Sequence, residues 1–592
     1  MSKLAFFAEL RRRNVYRAAV FYAGAAWLLV QIATQVFPFF DIPNRAVRVV
    51  VIAALIGFPF AMLFSWFYEW TPEGIKRESE IDRSESITHQ TGKTLDRWII
   101  AVLGLAVVLL LTDKFALRKD ASAITDKSIA VLPLANSTGD PANEYFSDGV
   151  SEELISSLSR LSNLKVIGRT SSFQFKGKTE DSKTIGEKLG VVYLLEGSVR
   201  KSANRVRISV ELVKSADGAS VWSETYDREL KDIFAVQSEI AGAVASQLKV
   251  ELLGNNAHAA QTPTAATPSN RNVEAYNALL QGNYYFLRQT ADDFHKAIGY
   301  YEEAIRLDPR YALAYAKLSA ANTLLNGNFG GPEATANETR KKARAAADTA
   351  LALEPALGEA HYARGLILAP VDLNLAEAEY RRAAELSPQD ANTARALCTL
   401  NASFGRLDQA VDFGRRAVVL DPLSSASRFY LARALTGQGA FDEAEATLRK
   451  AIELQPQASH TYMQLATLQI LRGNAAAAIA LAQQETDPFW RNYALALAYF
   501  AHGDRAEADA QLKKLIDENA YSGGSQIAIV YALRKEPDKM FEWLEHARLA
   551  KDPGTRLLLV DPFLLAYRND PRFIAFARKT GVMPATDTSR TE

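Results

Sequence analysis

The sequence predicts a multidomain protein in three parts: N-terminal transmembrane helices, an α/β domain with a mixed sheet, and an all-α solenoid of helical repeats. Three observations carry this prediction. The longest uncharged apolar runs lie in the first 118 residues, short β-rich runs alternate with helical patterns over 126–252, and a helical motif recurs after residue 272. A chain of 592 residues is also too long for one hydrophobic core.

Composition excludes some functions. The 68 basic and 68 acidic side chains balance, so no overall positive field favours nucleic-acid binding. The single cysteine, Cys398, cannot form an intramolecular disulfide, which leaves the redox compartment open. Charged residues are spread through 1–17, and the apolar run that follows has no small-residue cleavage site. We therefore expect that run to remain in the mature protein.

Residues 1–118 are predicted to be a membrane region with about three transmembrane helices, at 18–40, 49–68 and 98–117. The first two segments contain 23 and 20 residues without a charge, enough to cross a hydrocarbon layer of about 30 Å. The third has only 14 apolar residues, at 98–111, and by length alone could be a buried helix. Extension to Leu117 makes a crossing feasible, because Asp113 and Lys114 lie close to one end.

The positions of basic residues predict the orientation. Five of them precede the first crossing and five lie in the 71–97 loop, whereas the short connection between the first two crossings holds only Arg45 and Arg48. Basic residues accumulate on the cytoplasmic side of bacterial membranes. The 71–97 loop is therefore expected in the cytoplasm of a multi-pass inner-membrane protein, and the large C-terminal body in the periplasm.

An α/β domain is predicted at 126–252. SIAVLPLAN at 128–136 has the pattern of a buried strand that enters a loop, and a helical pattern follows at 145–161. Further strand-like and helical runs continue to residue 248. The resulting order, β-α-β-α-β-β-β-α, favours a mixed sheet with helices packed on it.

The same residues resemble a known bacterial family. SIAVLPLANSTGDPANEYFSDGVSEELISSLSRL, IGRTSSFQFKGK, LGVVYLLEGSVRK and VWSETYDREL are similar to the TolB-like (FlgO-like) domain. The resemblance implies that such a domain occurs in one chain with tetratricopeptide repeats. Some members of the family also carry a class III cyclase domain or a DNA-binding winged helix. Only about 17 residues precede the first predicted crossing, and no cyclase-sized segment with paired metal carboxylates is recognisable. This chain thus departs from the members that carry those output domains.

A flexible linker is predicted at 253–271 and a tetratricopeptide repeat solenoid at 272–585. Helical motifs such as AVVLDP and AIELQP end at prolines 309, 355, 388, 422 and 456, and the last three spacings are 33, 34 and 34 residues. This period is typical of repeats made of two antiparallel helices, and about eight units are expected. The insert NGNFGGPEATANETRK at 326–341 is predicted to form a longer loop.

Solenoids of this type bind an extended peptide or a partner helix on their concave surface. If the repeat register holds, six side chains of two neighbouring units point into that groove: Asn392, Arg395, Thr399, Phe429, Arg433 and Thr436. The alternative for each is a solvated helix face.

Catalytic and metal-binding patterns are not recognisable, so the sequence predicts no enzyme, metal or cofactor. The seven histidines are scattered without ligand spacing, and neither GKT sequence has the glycine that a phosphate-binding loop requires. Glu152 and Glu153 are adjacent, so they should diverge on a helix and be solvated. RTSSFQFKGK at 169–178 could contact a phosphate or a sugar, but the alternation of Phe173 and Phe175 favours a half-buried edge strand.

The predicted function is a non-enzymatic, membrane-anchored scaffold that binds a protein or peptide partner through the solenoid groove and binds no nucleic acid. The alternative is a signalling component related to adenylate-cyclase-associated repeat proteins, without the catalytic domain. A third hypothesis places a nucleotide site on the α/β domain.

Overall fold

A computed structural model of the chain describes residues 127–583, except 162–163, 254–271, 289 and 330–332. It also describes 19, 22–27, 29–30, 54, 57–58, 68–71 and 74–77, which belong to a separate unit, Met1–Ala123. In that unit, strand β1 (Tyr68–Thr71) pairs antiparallel with β2 (Gly74–Arg77). The sequence had placed these residues at the end of a membrane helix and in a loop.

Within the described part of the chain, no helix has the length and apolar character that a bilayer crossing needs. The three predicted crossings lie almost wholly outside the described residues. They therefore stay a prediction.

A mixed sheet forms the centre of the α/β module, as the sequence predicts. The strands are β3 (Ser128–Val131), β4 (Ala135–Asn136), β5 (Lys165–Val166), β6 (Tyr193–Ser202), β7 (Arg205–Lys214) and β8 (Ser220–Glu229). Strand β3 runs parallel to β5 and β6, and β6, β7 and β8 form an antiparallel meander. The order across the sheet is β5-β3-β6-β7-β8, with β4 beside β6.

Helices cover both faces of this sheet. Alternate residues of β3 point to opposite sides, so Ile129 and Val131 contact one layer and Ala130 contacts the other. The first layer consists of α1 (Glu144–Ser159) and α4 (Ile233–Leu253), and the second contains α3 (Ser182–Leu189). Strand β3 is buried on both faces and reads as a nearly continuous apolar run, whereas β7 alternates buried and exposed residues and most of β8 is exposed.

Eight successive helix pairs follow in the described residues, the number that the repeats predict. They are α5 (Val273–Phe286), α6 (Ala291–Leu307), α7 (Ala312–Phe329), α8 (Glu333–Leu353), α9 (Gly358–Leu368), α10 (Leu373–Leu386), α11 (Ala391–Ser403), α12 (Leu407–Leu420), α13 (Ser425–Gln438), α14 (Phe441–Leu454), α15 (Thr461–Leu471), α16 (Ala475–Ala482), α17 (Pro488–His502), α18 (Arg505–Asn519), α19 (Gly524–Leu533) and α20 (Pro537–Leu549). Helices α6, α8, α10, α12 and α14 each end two residues before a motif proline.

Small residues allow the two helices of each pair to approach closely. Gly282 of α5 faces the ring of Tyr301, and Gly365 of α9 faces the ring of Tyr380 in the same way. A Cβ atom at either glycine would lie 2.4 Å from that ring, inside van der Waals contact. Both tyrosines are buried, so the repeat pattern of small and aromatic residues reflects direct helix packing.

The prediction for the insert at 326–341 is wrong. Its residues extend α7 to Phe329 and begin α8 at Glu333, leaving only 330–332 between the two helices. Alanine, glutamate, arginine and lysine have high helix propensity, which explains why the second half of the insert continues a helix. Helices α7 and α8 are thus 18 and 21 residues long, longer than other helices of the array such as α9, with 11 residues.

The chain folds back on itself after the last pair. A 3₁₀ helix at Pro553–Leu559 is followed by α21 (Pro562–Leu565) and α22 (Pro571–Lys579). We call residues 553–560 the return segment. It packs against α11, α19 and α20, and Val560 contacts Gly437 of α13 so closely that a Cβ atom there would lie 2.8 Å from the Val560 carbonyl oxygen.

The α/β module packs on the first repeat. Tyr276 of α5 is fully buried among residues of the module, with its ring 4.7 Å from that of Phe234. Its hydroxyl accepts a hydrogen bond of 2.6 Å from Gln237 Nε2. Leu280 of the same helix meets Gly149 of α1, where a Cβ atom would lie 2.5 Å from it.

A second contact joins the module to the turn between α12 and α13. The module side of this contact is a short helix, α2 (Arg169–Ser172), followed by a 3₁₀ turn at Phe173–Phe175. Ser171 donates from its backbone N–H to Asp421 Oδ1 at 2.8 Å, and its hydroxyl donates to the same carboxylate. The hydroxyl also accepts from the N–H of Leu423 at 2.8 Å.

The prediction of an edge strand at 169–178 is therefore wrong. Alternating phenylalanines resemble a strand, but Phe175 is buried in the module and Gln174 donates to the Leu423 carbonyl at 2.8 Å. Gln174, the polar residue between the two aromatics, is thus used for docking. The flexible linker was predicted at 253–271. Leu253 ends α4, and residues 254–271 lie outside the described residues, yet the segments on either side of them belong to one compact unit.

Candidate partner-binding groove

A cavity of about 840 Å³ opens among the first half of the repeat helices. We call it the groove. Helices α7 to α11 and α13 contribute side chains to it, and the return segment contributes Pro553, Arg556 and Leu557. The long helices α7 and α8 form one wall. The insert at 326–341, which the sequence analysis predicts as a loop, therefore shapes this site.

Helix α11 presents a polar stripe to the groove. Its start is fixed by Asp390, whose carboxylate accepts from the backbone N–H groups of Asn392 and Thr393 at 3.3 and 2.9 Å. From that start, Asn392, Arg395 and Thr399 follow at helical spacing and all three line the groove. The structure thus brings together these three residues singled out from the sequence.

Helix α13 contributes only one of its three predicted residues to the groove. Arg433 lines it together with Tyr430, one turn earlier. Phe429 does not line it and instead packs edge-to-face on Tyr430 at 5.3 Å and contacts His460 at 6.0 Å. Thr436 is buried and its hydroxyl donates to the Ala432 carbonyl at 2.8 Å. Phe429 precedes Tyr430 by one position and is therefore rotated about 100° away from it.

A smaller cavity of about 50 Å³ continues beyond Arg433. Thr436 lines it with residues of α15, α17 and α19 and with Val560 and Asp561. Arg433 and Leu557 line both cavities, so they form the wall between them. The return segment thus contributes Leu557 and Val560 to the wall of the smaller cavity.

Sequence reasoning missed the return segment because its contacts are distant in sequence. Asp552 positions its start, since the carboxylate accepts from the N–H of Gly554 at 2.7 Å and from the N–H of Ser525 at 2.8 Å. Asp561 caps the following helix through the N–H groups of Phe563 and Leu564, at 2.9 and 3.1 Å. An aspartate two residues before a glycine, or just before a proline, was the available sequence signal for these turns.

Three tyrosines line the groove together with its arginines: Tyr430, described above, and Tyr362 and Tyr380. Burial raises the pKa of Tyr362, while a hydrogen bond from Arg395 opposes that shift. Burial also raises the pKa of Tyr380, whose ring centroid lies 6.0 Å from that of Tyr362. Both phenols therefore stay protonated and can donate hydrogen bonds at neutral pH.

The groove has the composition of a binding site. Cys398 of α11 is buried, and burial raises the pKa of its thiol to about 12, so it is not a reactive thiolate. Across the described residues, no group of three histidine, cysteine or acidic side chains is placed to hold a metal ion. What the groove offers is a set of donors: guanidinium, hydroxyl and amide groups.

The prediction that Glu152 and Glu153 are solvated is wrong. Both are half-buried on α1, and Glu152 lies 3.5 Å from Arg169. Burial and the neighbouring carboxylate raise the pKa of Glu153 to about 7, and Lys317 and Glu359 of the repeats also act on it. The pair therefore belongs to the contact between module and solenoid.

Comparison with protein families gives two matches. Residues 125–243 match the model of the HilA/YgeH-like transcriptional regulator, second domain, and residues 402–465 match a tetratricopeptide repeat model. The repeat assignment is thus supported, whereas the resemblance to a TolB-like domain is not confirmed. Neither model covers half of the chain.

A relative from Rhizobium meliloti (strain 1021), named "Putative adenylate cyclase 3", is 41% identical over 192 residues. The match covers 32% of this chain and 32% of that protein, so the chain spans about a third of the relative's length.

Solved structures also match. PilF of Pseudomonas aeruginosa is 19% identical, with a TM-score of 0.29, over 36% of this chain and 93% of its own. A tetratricopeptide repeat protein of Parabacteroides merdae is 16% identical, with a TM-score of 0.32, over 45% of this chain and 98% of its own.

Proposed function

We propose that the protein is a non-enzymatic scaffold that binds a protein partner through the groove. A segment of the partner would lie against α7, α9, α11 and α13, in the manner general to helical-repeat solenoids. The N-terminal region would anchor the scaffold in a bacterial inner membrane, as the charge pattern of residues 1–118 favours.

The groove itself carries this proposal. Its volume of about 840 Å³ lies within the range of ligand sites, roughly 300 to 1,000 Å³. Aromatic rings and polar donors line it together, which is the composition that anchors side chains and also pairs peptide carbonyls. The stripe of Asn392, Arg395 and Thr399 would provide donors along the bound segment.

A variant that fills the groove tests the proposal. Thr399→Trp places a large ring on the α11 stripe, and Arg382→Trp, on the exposed side of α10, is the matched control. The probe is an immobilised library of random twelve-residue peptides incubated with purified full-length chain. We expect the wild type and the control to bind a common subset of peptides and Thr399→Trp to lose that subset. Failure of the wild type to bind any peptide, or equal binding by Thr399→Trp, would refute the proposal.

The orientation of the body is a separate part of the proposal. We place it in the periplasm, because basic residues flank the first and third predicted crossings on one side. Alkaline phosphatase and fluorescent-protein fusions after Gly254 and within 71–97 test this directly. Phosphatase activity after Gly254 with fluorescence in the loop is the expected pattern, and fluorescence at both positions would return the body to the cytoplasm.

A second candidate function follows from the Rhizobium meliloti relative. The chain would act as a signalling component that works with a separate cyclase, in agreement with the name of that relative. Deletion of the gene would then change the cellular level of cyclic AMP. An unchanged level under conditions in which the protein is produced would exclude this role.

A further inference from the structure

Strand β8 forms an open edge of the sheet in the α/β module. It pairs with β7 on one side, and no strand of the described part of the chain lies on its other side. Its ten residues, Ser220–Glu229, include neither lysine nor proline, the residues with which many proteins block an edge strand. An unpaired edge of this length is a template for a further strand.

One hydrogen bond shows which residues of β8 face outwards. The N–H of Leu230, the residue after the strand, donates to the Asn204 carbonyl at 2.6 Å, so the backbone at position 230 points towards β7. Successive residues of an antiparallel strand point their N–H and C=O groups to opposite edges. The backbone groups of residues 223, 225, 227 and 229 therefore point away from β7. Among them, only the carbonyl of Asp227 has a partner within the described chain, the Arg228 side chain at 3.2 Å.

The side chains of β8 leave this edge accessible. Thr225 is exposed, and Asp227 is drawn back over the sheet by Arg205 and Arg207 of β7, each at 2.6 Å. Tyr226 points to the opposite face, where it is buried in the layer that contains α4. A second strand can thus approach the edge without displacing a core residue.

A carboxylate at this edge lacks a cation. Glu224 is exposed and accepts from the Tyr226 hydroxyl at 2.9 Å, but it forms no ion pair with any described residue. Arg228 lies on the same face, because side chains alternate along a strand. Its nearest carboxylate is that of Glu239, 3.7 Å away, and both of those side chains are about half exposed. Opposite charges therefore flank Tyr226 at equal distances along the strand.

A second copy of β8 fits this pattern when it pairs antiparallel about a two-fold axis at Tyr226. Residue 225 then lies opposite 227 and residue 223 opposite 229, so the outward N–H and C=O groups of all four find partners. Glu224 lies opposite Arg228 of the second copy, and the symmetry repeats this pair. Side chains placed directly opposite each other are about 4.5 to 5.5 Å apart at Cβ, close enough for an ion pair.

Neighbouring registers are less favourable. An axis at Glu224 or at Asp227 would place that carboxylate opposite its own copy, and like charges directly opposite each other are destabilising. An axis at Thr225 avoids this repulsion but places Glu224 opposite Tyr226, and no pair of opposite charges forms. The charge pattern of β8 therefore selects the axis at Tyr226.

We infer that the protein forms a homodimer in which two β8 strands pair antiparallel about Tyr226 and join the two sheets into one. Because both copies use the same edge, the pairing is closed and leaves β8 with no free edge for further strands. The inference is independent of the proposed function, since β8 contributes no residue to the groove.

A proline at the outward edge tests the pairing in the purified full-length chain by sedimentation velocity over a series of concentrations. Thr225→Pro removes an outward N–H and spares the bonds to β7, a position that an edge strand tolerates. Thr225→Val is the matched control, because it loses the contact of the hydroxyl with Ser209, at 3.0 Å, but keeps the N–H. We expect wild type and Thr225→Val to dimerise equally and Thr225→Pro to raise the dissociation constant at least about tenfold.

A charge exchange tests the register. Glu224→Arg and Arg228→Glu should each weaken the dimer about tenfold, since like charges then face each other across the axis. The double variant exchanges the two charges and should recover the wild-type dissociation constant. Glu187→Arg, at an exposed position of α3, makes the same charge change away from the edge and should have no effect.

Three results would overturn the inference. The first is a wild-type chain that stays monomeric at every concentration. The second is a dimer that Thr225→Pro does not weaken, because another surface would then hold it together. The third is a double charge variant as weak as the single ones, which would exclude the axis at Tyr226. None of these results bears on the groove, which peptide binding tests separately.

Discussion

Single residues of the array show how closely its helices are packed. Gly365 lies against the ring of Tyr380, which is also a wall of the groove, so helix spacing and groove shape depend on the same contact. Gly299 of α6 is the opposite case, since a Cβ atom there would meet nothing within 4 Å.

Substitution of these two glycines should therefore have opposite effects. Gly365→Ala should lower the free energy of unfolding by about 1 to 3 kcal/mol, because the methyl group overlaps a buried ring. Gly299→Ala should raise it by about 0.5 to 1 kcal/mol through helix propensity. Urea unfolding of both variants checks this, and an equal effect at the two positions would contradict the packing described.

Asp561 should make stability depend on pH. Burial raises the pKa of its carboxyl to about 6 in the folded chain, above the ordinary value of 3.8. The folded state thus holds this proton more tightly than the unfolded state, and stability should fall as pH rises from about 4 to about 6. Asp561→Asn retains an oxygen that can cap α21 but does not titrate.

The difference in free energy of unfolding between wild type and Asp561→Asn isolates this group from the other carboxylates. We expect that difference to shift against the wild type across the same interval and to be constant above about pH 7. A difference that does not change between pH 4 and 6 would show that Asp561 titrates normally.

At the scale of elements, docking of the module depends on α2 and the α12–α13 turn. Ser171→Ala removes the hydroxyl that binds both Asp421 and the N–H of Leu423, and leaves a buried carboxylate with one fewer donor. The expected loss is about 2 kcal/mol. Ser223→Ala, on the exposed strand β8, is the control and should stay within about 0.5 kcal/mol of the wild type.

Amide hydrogen exchange distinguishes this effect from a general loss of stability. The N–H of Leu423 should exchange faster in Ser171→Ala, because its acceptor is gone, while the N–H of Ile129 in the sheet core keeps its protection relative to global unfolding. Unchanged exchange at Leu423 would mean that the module does not dock there.

The elements that could be predicted are those defined by local patterns. Helix pairs of the array follow from a 34-residue period, and the mixed sheet follows from short apolar runs, since both patterns record burial within one element and its neighbours. The docking of Ser171 on Asp421 joins residues 250 positions apart, and no local pattern encodes it.

In the candidate site, too, the residues that follow the repeat pattern could be predicted and those outside the repeats could not. Asn392, Arg395, Thr399 and Arg433 were found because repeat register fixes which side of a first helix is concave. Arg556 was missed because the return segment is not a repeat and reaches the groove only in the folded chain. Phe429 lies outside the groove because a rotation of one position moves a side chain to another face, and Thr436 lines the smaller cavity beyond Arg433.

At the scale of the whole described body, residues 127–583 with the gaps given above, the groove is bounded by parts distant in sequence. The module holds α5 and the α12–α13 turn, and the return segment lines both the groove and the smaller cavity. Both contacts restrict how far the array can open. A partner segment would therefore meet a largely formed groove, which lowers the entropic cost of binding.

The most direct test of the central claim is to map where a bound peptide lies. A photoreactive benzoylphenylalanine at Asn392, at the exposed start of the α11 stripe, is compared with one at Arg382 on the exposed side of α10, using the tightest peptide from the library and mass spectrometry of the product. The account predicts a crosslink from position 392 to the peptide and none from position 382. Crosslinking from position 382 alone would place the partner outside the groove and contradict the account.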